Sequence, residues 1–257
     1  MMASVATGLL HHYKEGAVMG LSEVLSKAGT LLNNLKQCKK DIRDFAPDVL
    51  ILIDYPGFNL KLAKFAHKAG LKVFYYIAPK TWASRAGRNR LLKRYVDMLY
   101  IVFPFEIPYF KRKGIPFVYK GNPLVEAVEQ SDYHRLIPEP YVAVLPGSRK
   151  NEIDRTLPLC MELADRMHAD PRYRDIRFLV AGAPARSSED YAPYLQGRDY
   201  VQLVFGQTYS VLKYANAAVV NSGTASLEAA LIGTPQMVCW STSPFTAFVA
   251  RYILRVM

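Results

Sequence analysis

The chain has 257 residues, of which 51% are hydrophobic and 21% are charged, a composition typical of globular domains with buried cores. It contains neither an apolar stretch long enough to cross a bilayer nor a recognisable secretory signal, which argues against the membrane-spanning and secreted classes. The formal net charge of +11 is compatible with nucleic acid, an anionic membrane surface or a phosphorylated substrate as the partner.

The first half of the chain alternates between predicted helices and strands. Residues 17–35 carry one apolar stripe at spacings of three and four, formed by Val18, Leu21, Leu25, Ala28, Leu32 and Leu35. Strands are predicted at 49–53, 73–77, 98–102 and 117–119, with helices at 59–69, 85–95 and 105–113 between them. The apolar run Val49–Ile53 predicts a strand that is buried on both faces.

Residues 122–140 interrupt this rhythm with three prolines and few apolar runs, so we interpret them as a linker. The alternation then resumes, with strands predicted at 141–145, 177–180, 201–205, 217–220 and 237–240 and helices at 151–168, 208–214 and 225–232. Pro158 is expected to kink the first of these helices or to delay its start. The pattern predicts α/β architecture with parallel sheets.

The three cysteines, Cys38, Cys160 and Cys239, are odd in number and widely spaced. This pattern argues against a disulfide framework and for a reducing compartment, with the thiols in or near the core.

The strongest local signal is the segment 217–228, which predicts a strand, a tight turn and the start of a helix. Free backbone N–H groups and the helix dipole make such a start an anion site. Gly223 lets the backbone approach a phosphate, and Glu228 is placed to accept the hydroxyls of a ribose. Hydroxyl donors come from Ser222, Thr224 and Ser226. The alternative is an ordinary helix cap formed by Ser222 or Thr224.

A second loop, Leu145–Arg149, follows the strand that opens the second half. Ligands of parallel sheets bind beyond the carboxyl ends of the strands. Gly147 and Ser148 allow a turn there, and the guanidinium of Arg149 matches phosphate geometry. The alternative is an ordinary connection between a strand and a helix.

Asp54 comes directly after the apolar run at 49–53, at the carboxyl end of a predicted strand. A carboxylate at this edge is a candidate general base. The alternative is a turn or cap aspartate for the following helix, a role for which Asn59 competes.

Six basic residues and no acidic one occupy positions 80–96: Lys80, Arg85, Arg88, Arg90, Lys93 and Arg94. They predict either a solvated helix face or a patch that faces an anion. Exposed aromatic residues are not interleaved with them, so a nucleic-acid partner is not expected. Phosphate-loop, dinucleotide-binding and serine-hydrolase motifs are missing, and the histidines show no metal-binding spacing with the cysteines.

The motifs, taken together and in order, resemble the lipid-A-disaccharide synthase family. The matching segments are residues 47–59, 78–83, 104–106, 121–124, 145–153, 222–228, 233–235 and 243–245. The resemblance implies the GT-B fold, two Rossmann-like domains whose parallel sheets face across a cleft. Residues 1–122 would form the acceptor domain, 123–140 the linker and 141–257 the nucleotide-sugar domain.

The resemblance also implies a reaction. An inverting glycosyltransferase would join UDP-2,3-diacylglucosamine to 2,3-diacylglucosamine 1-phosphate, giving lipid A disaccharide 1-phosphate and UDP without a metal or other cofactor. Asp54 would be the base, and Glu228 would hold the ribose. The nucleotide sugar would contact Gly147, Ser148, Arg149, Ser222, Gly223, Thr224, Ala225, Ser226 and Glu228. The acceptor or its acyl chains would contact Asn59, Trp82, Met19 and Leu21.

Acylated substrates imply a cytoplasmic enzyme that is peripheral on the inner face of the inner membrane. The stripe at 18–35 would insert into the membrane and the basic run would attract anionic headgroups. Core packing or a homodimer interface is the alternative for the stripe.

The sequence departs from the family pattern in three places. Family members begin before this Met1, with a strand and a Gly-Glu-x-Ser-Gly-Asp motif, and they continue past Met257. The resemblance therefore predicts that the first strand of the first domain and the last helices of the second are missing. Ser84 stands where a second tryptophan is usual. The remaining alternatives are another GT-B enzyme that uses UDP-N-acetylglucosamine, and an inactive fragment that binds a membrane.

Overall fold

The computed structural model describes residues 28–240, and the chain divides into two units between Asn122 and Pro123. The predictions for residues 1–27, including Met19 and Leu21, and for 241–257 lie outside the described residues. Within the described part, no helix combines the length and the apolar character needed to cross a bilayer.

Residues 28–122 of the first unit form a parallel sheet of four strands in the order β1-β2-β3-β4. Its elements are α1 (Ala28–Phe45), β1 (Val49–Ile53), α2 (Pro56–Lys68), β2 (Lys72–Tyr76), α3 (Arg88–Tyr95), β3 (Met98–Ile101), α4 (Glu106–Lys113) and β4 (Phe117–Tyr119). Successive strands are joined by crossovers that bring the chain back in the same direction, as the alternating pattern predicts.

The helices of this unit end where the sequence provides stop signals. Gly114, with φ 59°, closes α4, and Gly70, with φ 79°, follows α2. Helix α2 begins at Pro56, earlier than predicted, because proline is well suited to the first turn of a helix. Helix α1 continues to Phe45, well beyond the predicted end at residue 35.

The prediction that β1 is buried on both faces is wrong. The strand forms one edge of the described sheet, and the side chain of Ile51 is 61% exposed. Alternate residues of a strand point to opposite faces, so Leu52 packs into the core while Val49, Ile51 and Ile53 point to the less covered face. An apolar run alone does not distinguish these two environments.

In the second unit, the described residues 123–240 form a parallel sheet of five strands in the order β7-β6-β5-β8-β9. Its elements are α5 (Pro123–Glu129), β5 (Tyr141–Leu145), α6 (Lys150–Ala169), β6 (Arg177–Gly182), a 3-10 turn (Ser188–Asp190), α7 (Ala192–Leu195), β7 (Val201–Phe205), α8 (Thr208–Lys213), β8 (Ala217–Asn221), α9 (Thr224–Ile232) and β9 (Gln236–Cys239). After β7 the chain returns to the other side of β5, so β5 and β8 flank a topological switch point.

The central strand β5 is buried on both faces. Ala143 and Leu145 belong to one hydrophobic cluster, and Val142 and Val144 belong to another on the opposite face. The unit is therefore a sandwich of three layers, in which helices cover both sides of the sheet.

Two local predictions change in this unit. The segment 123–140, interpreted as a linker, begins with helix α5, and its buried Val128 belongs to the core of the second unit. Helix α6 runs without interruption from Lys150 to Ala169 although it contains Pro158.

The cysteines are free thiols, with Cys160 buried and Cys38 and Cys239 half-buried, as predicted.

Candidate functional site

Two loops leave the second sheet side by side at its switch point. Leu145 lies opposite Val220 in the pairing of β5 with β8, so the turns that follow them start at the same edge. The loops also meet: a Cβ at Gly147 would lie 2.9 Å from Nδ2 of Asn221. Gly147 has φ 115°, a conformation that side chains rarely adopt. The structure thus brings together the two loops that the sequence singled out.

The first turn of α9 has the geometry of an anion site. Gly223 is the N-cap residue, and within the described part of the chain no side chain caps this helix. The predicted alternative, a cap by Ser222 or Thr224, is therefore not observed. Ser226 instead donates its hydroxyl to the carbonyl oxygen of Gly223 at 2.7 Å. The N-terminal N–H groups of this nine-residue helix can donate hydrogen bonds to a negatively charged ligand.

The loop at Gly147–Arg149 is already organised around a carboxylate that the sequence analysis did not single out. Glu152 Oε2 accepts hydrogen bonds from the backbone N–H groups of Ser148, at 3.0 Å, and Arg149, at 3.2 Å. The guanidinium of Arg149 pairs with the other oxygen of Glu152. A glutamate three residues after a helix cap is the sequence signal that could have found this arrangement.

Glu228 lies in α9, half-buried, and is hydrogen-bonded across the unit. The hydroxyl of Tyr209, in α8, donates to Oε1 of Glu228 at 3.0 Å. Burial first, and then the charge of Glu228, raise the pKa of Tyr209 to about 12, so the phenol remains a donor at neutral pH.

Tyr209 also lines a cavity of about 300 Å³. Other wall residues include Pro184, which follows β6, and Gly206, which follows β7. The cavity therefore opens at the carboxyl ends of these strands, the edge of the sheet at which ligands of parallel sheets bind.

In the first unit, Asp54 lies on a sharp turn after β1. Asp54 and the next residue, Tyr55, have φ values of 44° and 43°, both in the left-handed region. The side-chain amide of Asn59 donates to the carbonyl oxygens of Ile53, at 2.9 Å, and Asp54, at 2.8 Å. Non-glycine residues in this conformation are strained and recur at functional sites. The turn leaves the carboxylate of Asp54 exposed at the sheet edge.

Tyr75 of β2 supports the same turn from inside the core. Its hydroxyl donates to the carbonyl oxygen of Asp54. Burial, followed by the nearby Asp54 carboxylate, raises the pKa of Tyr75 well above its usual range. The hydroxyl of Tyr75 and the amide of Asn59 thus hold the carbonyl group of Asp54 from two sides.

Trp82 lies in the loop after β2 and is 41% exposed. Its ring stands at 87° to that of Phe105, with 4.9 Å between centroids, and its indole N–H donates to Glu106 at 3.1 Å. Glu106 is itself buried and accepts the backbone N–H of Phe103. An exposed aromatic pair is therefore held by a ring contact and a hydrogen bond at the carboxyl edge of the first sheet.

The basic run at 80–94 is mostly exposed, and the exposed Trp82 lies within it, contrary to the expectation that no exposed aromatic residue is interleaved there. All of its members except the half-buried Arg88 are exposed, and none forms a salt bridge with an acid within residues 28–240. Helix α3 begins at Arg88 rather than at the predicted Arg85.

Comparisons with solved structures identify the fold class of the protein. The structure resembles that of S. aureus MnaA in a co-structure with UDP, with a TM-score of 0.63 over 91% of this chain and 68% of that one, at 15% identity. UDP-GlcNAc 2-epimerase from Neisseria meningitidis gives a TM-score of 0.61 over 90% of this chain and 68% of that one, also at 15% identity. Both similarities concern the fold, which is that of the GT-B class with two Rossmann-like units.

Within this class the sequence is more specific. Residues 1–257 match the family described as lipid-A-disaccharide synthetase, and the chain belongs to that family. It is 36% identical to the lipid-A-disaccharide synthase of Trichlorobacter lovleyi over 93% of this chain, and 38% identical to that of Geobacter sulfurreducens over 94%. The chain spans 64% and 65% of the length of these two relatives.

Proposed function

We propose that the protein joins UDP-2,3-diacylglucosamine to 2,3-diacylglucosamine 1-phosphate and releases UDP. Family membership supports this reaction, and the observation that carries it is the pair of anion-suited loops at the β5–β8 switch point. The relatives are named for lipid A disaccharide synthesis, and one of the structurally similar proteins was solved with UDP.

The diphosphate of UDP would bind between the two loops of the second unit. The uncapped first turn of α9 supplies backbone N–H groups, and Gly147 allows close approach. Arg149 would exchange its bond to Glu152 for one to the diphosphate, offsetting the charge that grows as UDP departs. The ribose would face Glu228, and the base would enter the cavity beside Tyr209.

Asp54 would act as the general base on the acceptor. Its carboxylate takes the proton of the acceptor 6-hydroxyl, and that oxygen forms a bond to the anomeric carbon of the donor. The bond between this carbon and the UDP oxygen breaks on the opposite side, so the configuration inverts. The proton resides on Asp54 and the electron pair leaves with UDP, which balances the step.

The charge distribution supports an anionic membrane surface as the partner of the first unit. Residues 28–122 contain 18 Lys and Arg against 6 Asp and Glu, whereas residues 123–240 contain 11 against 14. The net positive charge of these residues thus lies in the first unit, which also carries the exposed pair Trp82 and Phe105. Aromatic side chains favour the interface between headgroups and acyl chains, and basic ones favour anionic lipids.

An assay of UDP release by the full-length protein tests the proposal. With UDP-2,3-diacylglucosamine alone, we expect no UDP above background. When the acceptor is added, UDP and the β-linked disaccharide should appear in equal amounts. Release of UDP without an acceptor, or release with UDP-N-acetylglucosamine at the same rate, would contradict the proposal.

A further inference from the structure

The hydrogen bond between Tyr209 and Glu228 links two parts of the candidate nucleotide site. Tyr209 contributes to the wall of the cavity of about 300 Å³ and, through its hydroxyl, reaches Oε1 of Glu228 at 3.0 Å. One residue therefore contacts both the space available for a base and the carboxylate available for a ribose.

Glu228 needs such a partner because its side chain has several rotatable bonds. Within residues 28–240 it forms no salt bridge, and Tyr209 is the side chain that donates to it. A carboxylate oxygen has two acceptor positions, so Oε1 can accept from Tyr209 and still serve a ligand, while Oε2 remains available. Holding the carboxylate before the ligand arrives lowers the entropy lost on binding.

We propose that Tyr209 is a positioning residue that presents Glu228 to the ribose hydroxyls, so that the site selects ribonucleotides over 2′-deoxyribonucleotides. This inference rests on the proposed function, since it requires UDP to bind in the second unit. In this proposal, the hydroxyl of Tyr209 contributes to the preference for ribose over 2′-deoxyribose without contacting the sugar itself.

The test compares the affinities of UDP and 2′-deoxy-UDP by isothermal titration calorimetry on the full chain. Tyr209→Phe should lower the ratio of the affinity for UDP to that for 2′-deoxy-UDP by about 3- to 10-fold, because one hydrogen bond is lost. The affinity for 2′-deoxy-UDP itself should change little. Tyr194→Phe is the matched control, because Tyr194 also donates its hydroxyl to a carboxylate, that of Asp154, at 2.9 Å. This control should keep the preference of the unaltered protein.

A double-mutant cycle separates positioning from general damage. Glu228→Gln should lose the preference as well, and adding Tyr209→Phe to it should cause no further loss, because the two groups act as one unit. An equal loss of affinity for both nucleotides in Tyr209→Phe, or additive losses in the cycle, would overturn the inference alone. Failure of the unaltered protein to bind UDP would overturn the proposed function and the inference with it.

Discussion

The side-chain amide of Asn59 donates to the carbonyl oxygen of Asp54 at 2.8 Å and stabilises a turn in which Asp54 and Tyr55 both adopt left-handed conformations. The same amide also bonds to Ile53. Asn59 was predicted to contact the acceptor; that role stays a prediction, whereas its contact with the turn is part of the structure. Asn59, five positions further along the chain, thus orients the turn that contains the candidate base Asp54.

Asn59→Ala should destabilise the first unit and lower turnover. Two hydrogen bonds are lost, and their carbonyl groups lie on a strained turn, so we expect a loss of about 1–3 kcal/mol in the free energy of unfolding. Urea denaturation measures this loss. Gln37→Ala is the control, since the Gln37 amide donates to Asp41 on an exposed helix face. Equal effects of the two variants would show that the Asn59 contacts do not stabilise the turn.

Gly147→Ala should disrupt the contact between the two loops of the second unit. The new Cβ would lie 2.7 Å from Cβ of Glu152 and 2.9 Å from Nδ2 of Asn221, at a φ of 115°. Backbone strain alone costs about 1–3 kcal/mol. Both the thermal midpoint and UDP affinity should fall. Gly29→Ala, where a Cβ meets no atom within 4 Å, should leave both unchanged or raise stability slightly. A stable Gly147→Ala protein with normal UDP binding would contradict this account.

Arg149→Ala should weaken UDP binding by about 10- to 100-fold, because hydrogen bonds between charged groups are worth about 1.5–3 kcal/mol. Titration calorimetry with UDP measures the change. The neighbouring Lys150 provides the control, since its ammonium group is engaged by Asp154 at 2.9 Å. Lys150→Ala should bind UDP as the unaltered protein does. If both variants lose affinity equally, general electrostatic attraction would explain binding better than a defined contact.

The stability of the second unit should depend on pH through Asp165. Its carboxylate accepts hydrogen bonds from Arg198 at 2.6 and 2.7 Å, which hold the pKa of Asp165 at about 2. This pKa lies below the value of about 3.9 expected for an aspartate in the unfolded chain. The pair of Asp165 and Arg198 therefore stabilises the fold above about pH 3.9, and this stabilisation is lost as the pH falls towards 2. The side chain is 41% exposed, so solvent screening keeps the effect small.

The difference in thermal midpoint between the unaltered protein and Asp165→Asn measures this contribution. It should be constant above about pH 5 and shrink between about pH 4 and 2. A difference that does not change with pH would show that the pair acts through packing rather than through charge.

The succession of strands along the chain and their parallel direction could be predicted from the sequence, because parallel strands are apolar runs separated by helices. The order of the strands within each sheet was not predicted. The switch-point loops were also predictable, since Gly147 and the Ser222–Ser226 segment follow such runs directly. The exposure of Ile51 could not be predicted, because it depends on which strand lies at the edge of the sheet. The role of Tyr209 could not be predicted either, because it depends on a contact formed only in the folded unit. The spacing of Arg149 and Glu152 did carry a capping signal in the sequence, although the sequence analysis gave Glu152 no role.

The most direct test of the proposed reaction is Asp54→Asn in the full-length protein, assayed both for turnover and for UDP affinity. An amide cannot take the proton of the acceptor hydroxyl, so acceptor-dependent UDP release should fall by at least about 100-fold. UDP affinity should stay unchanged, because the proposed nucleotide contacts all belong to the second unit. Turnover close to that of the unaltered protein would contradict the assignment of Asp54 as the base.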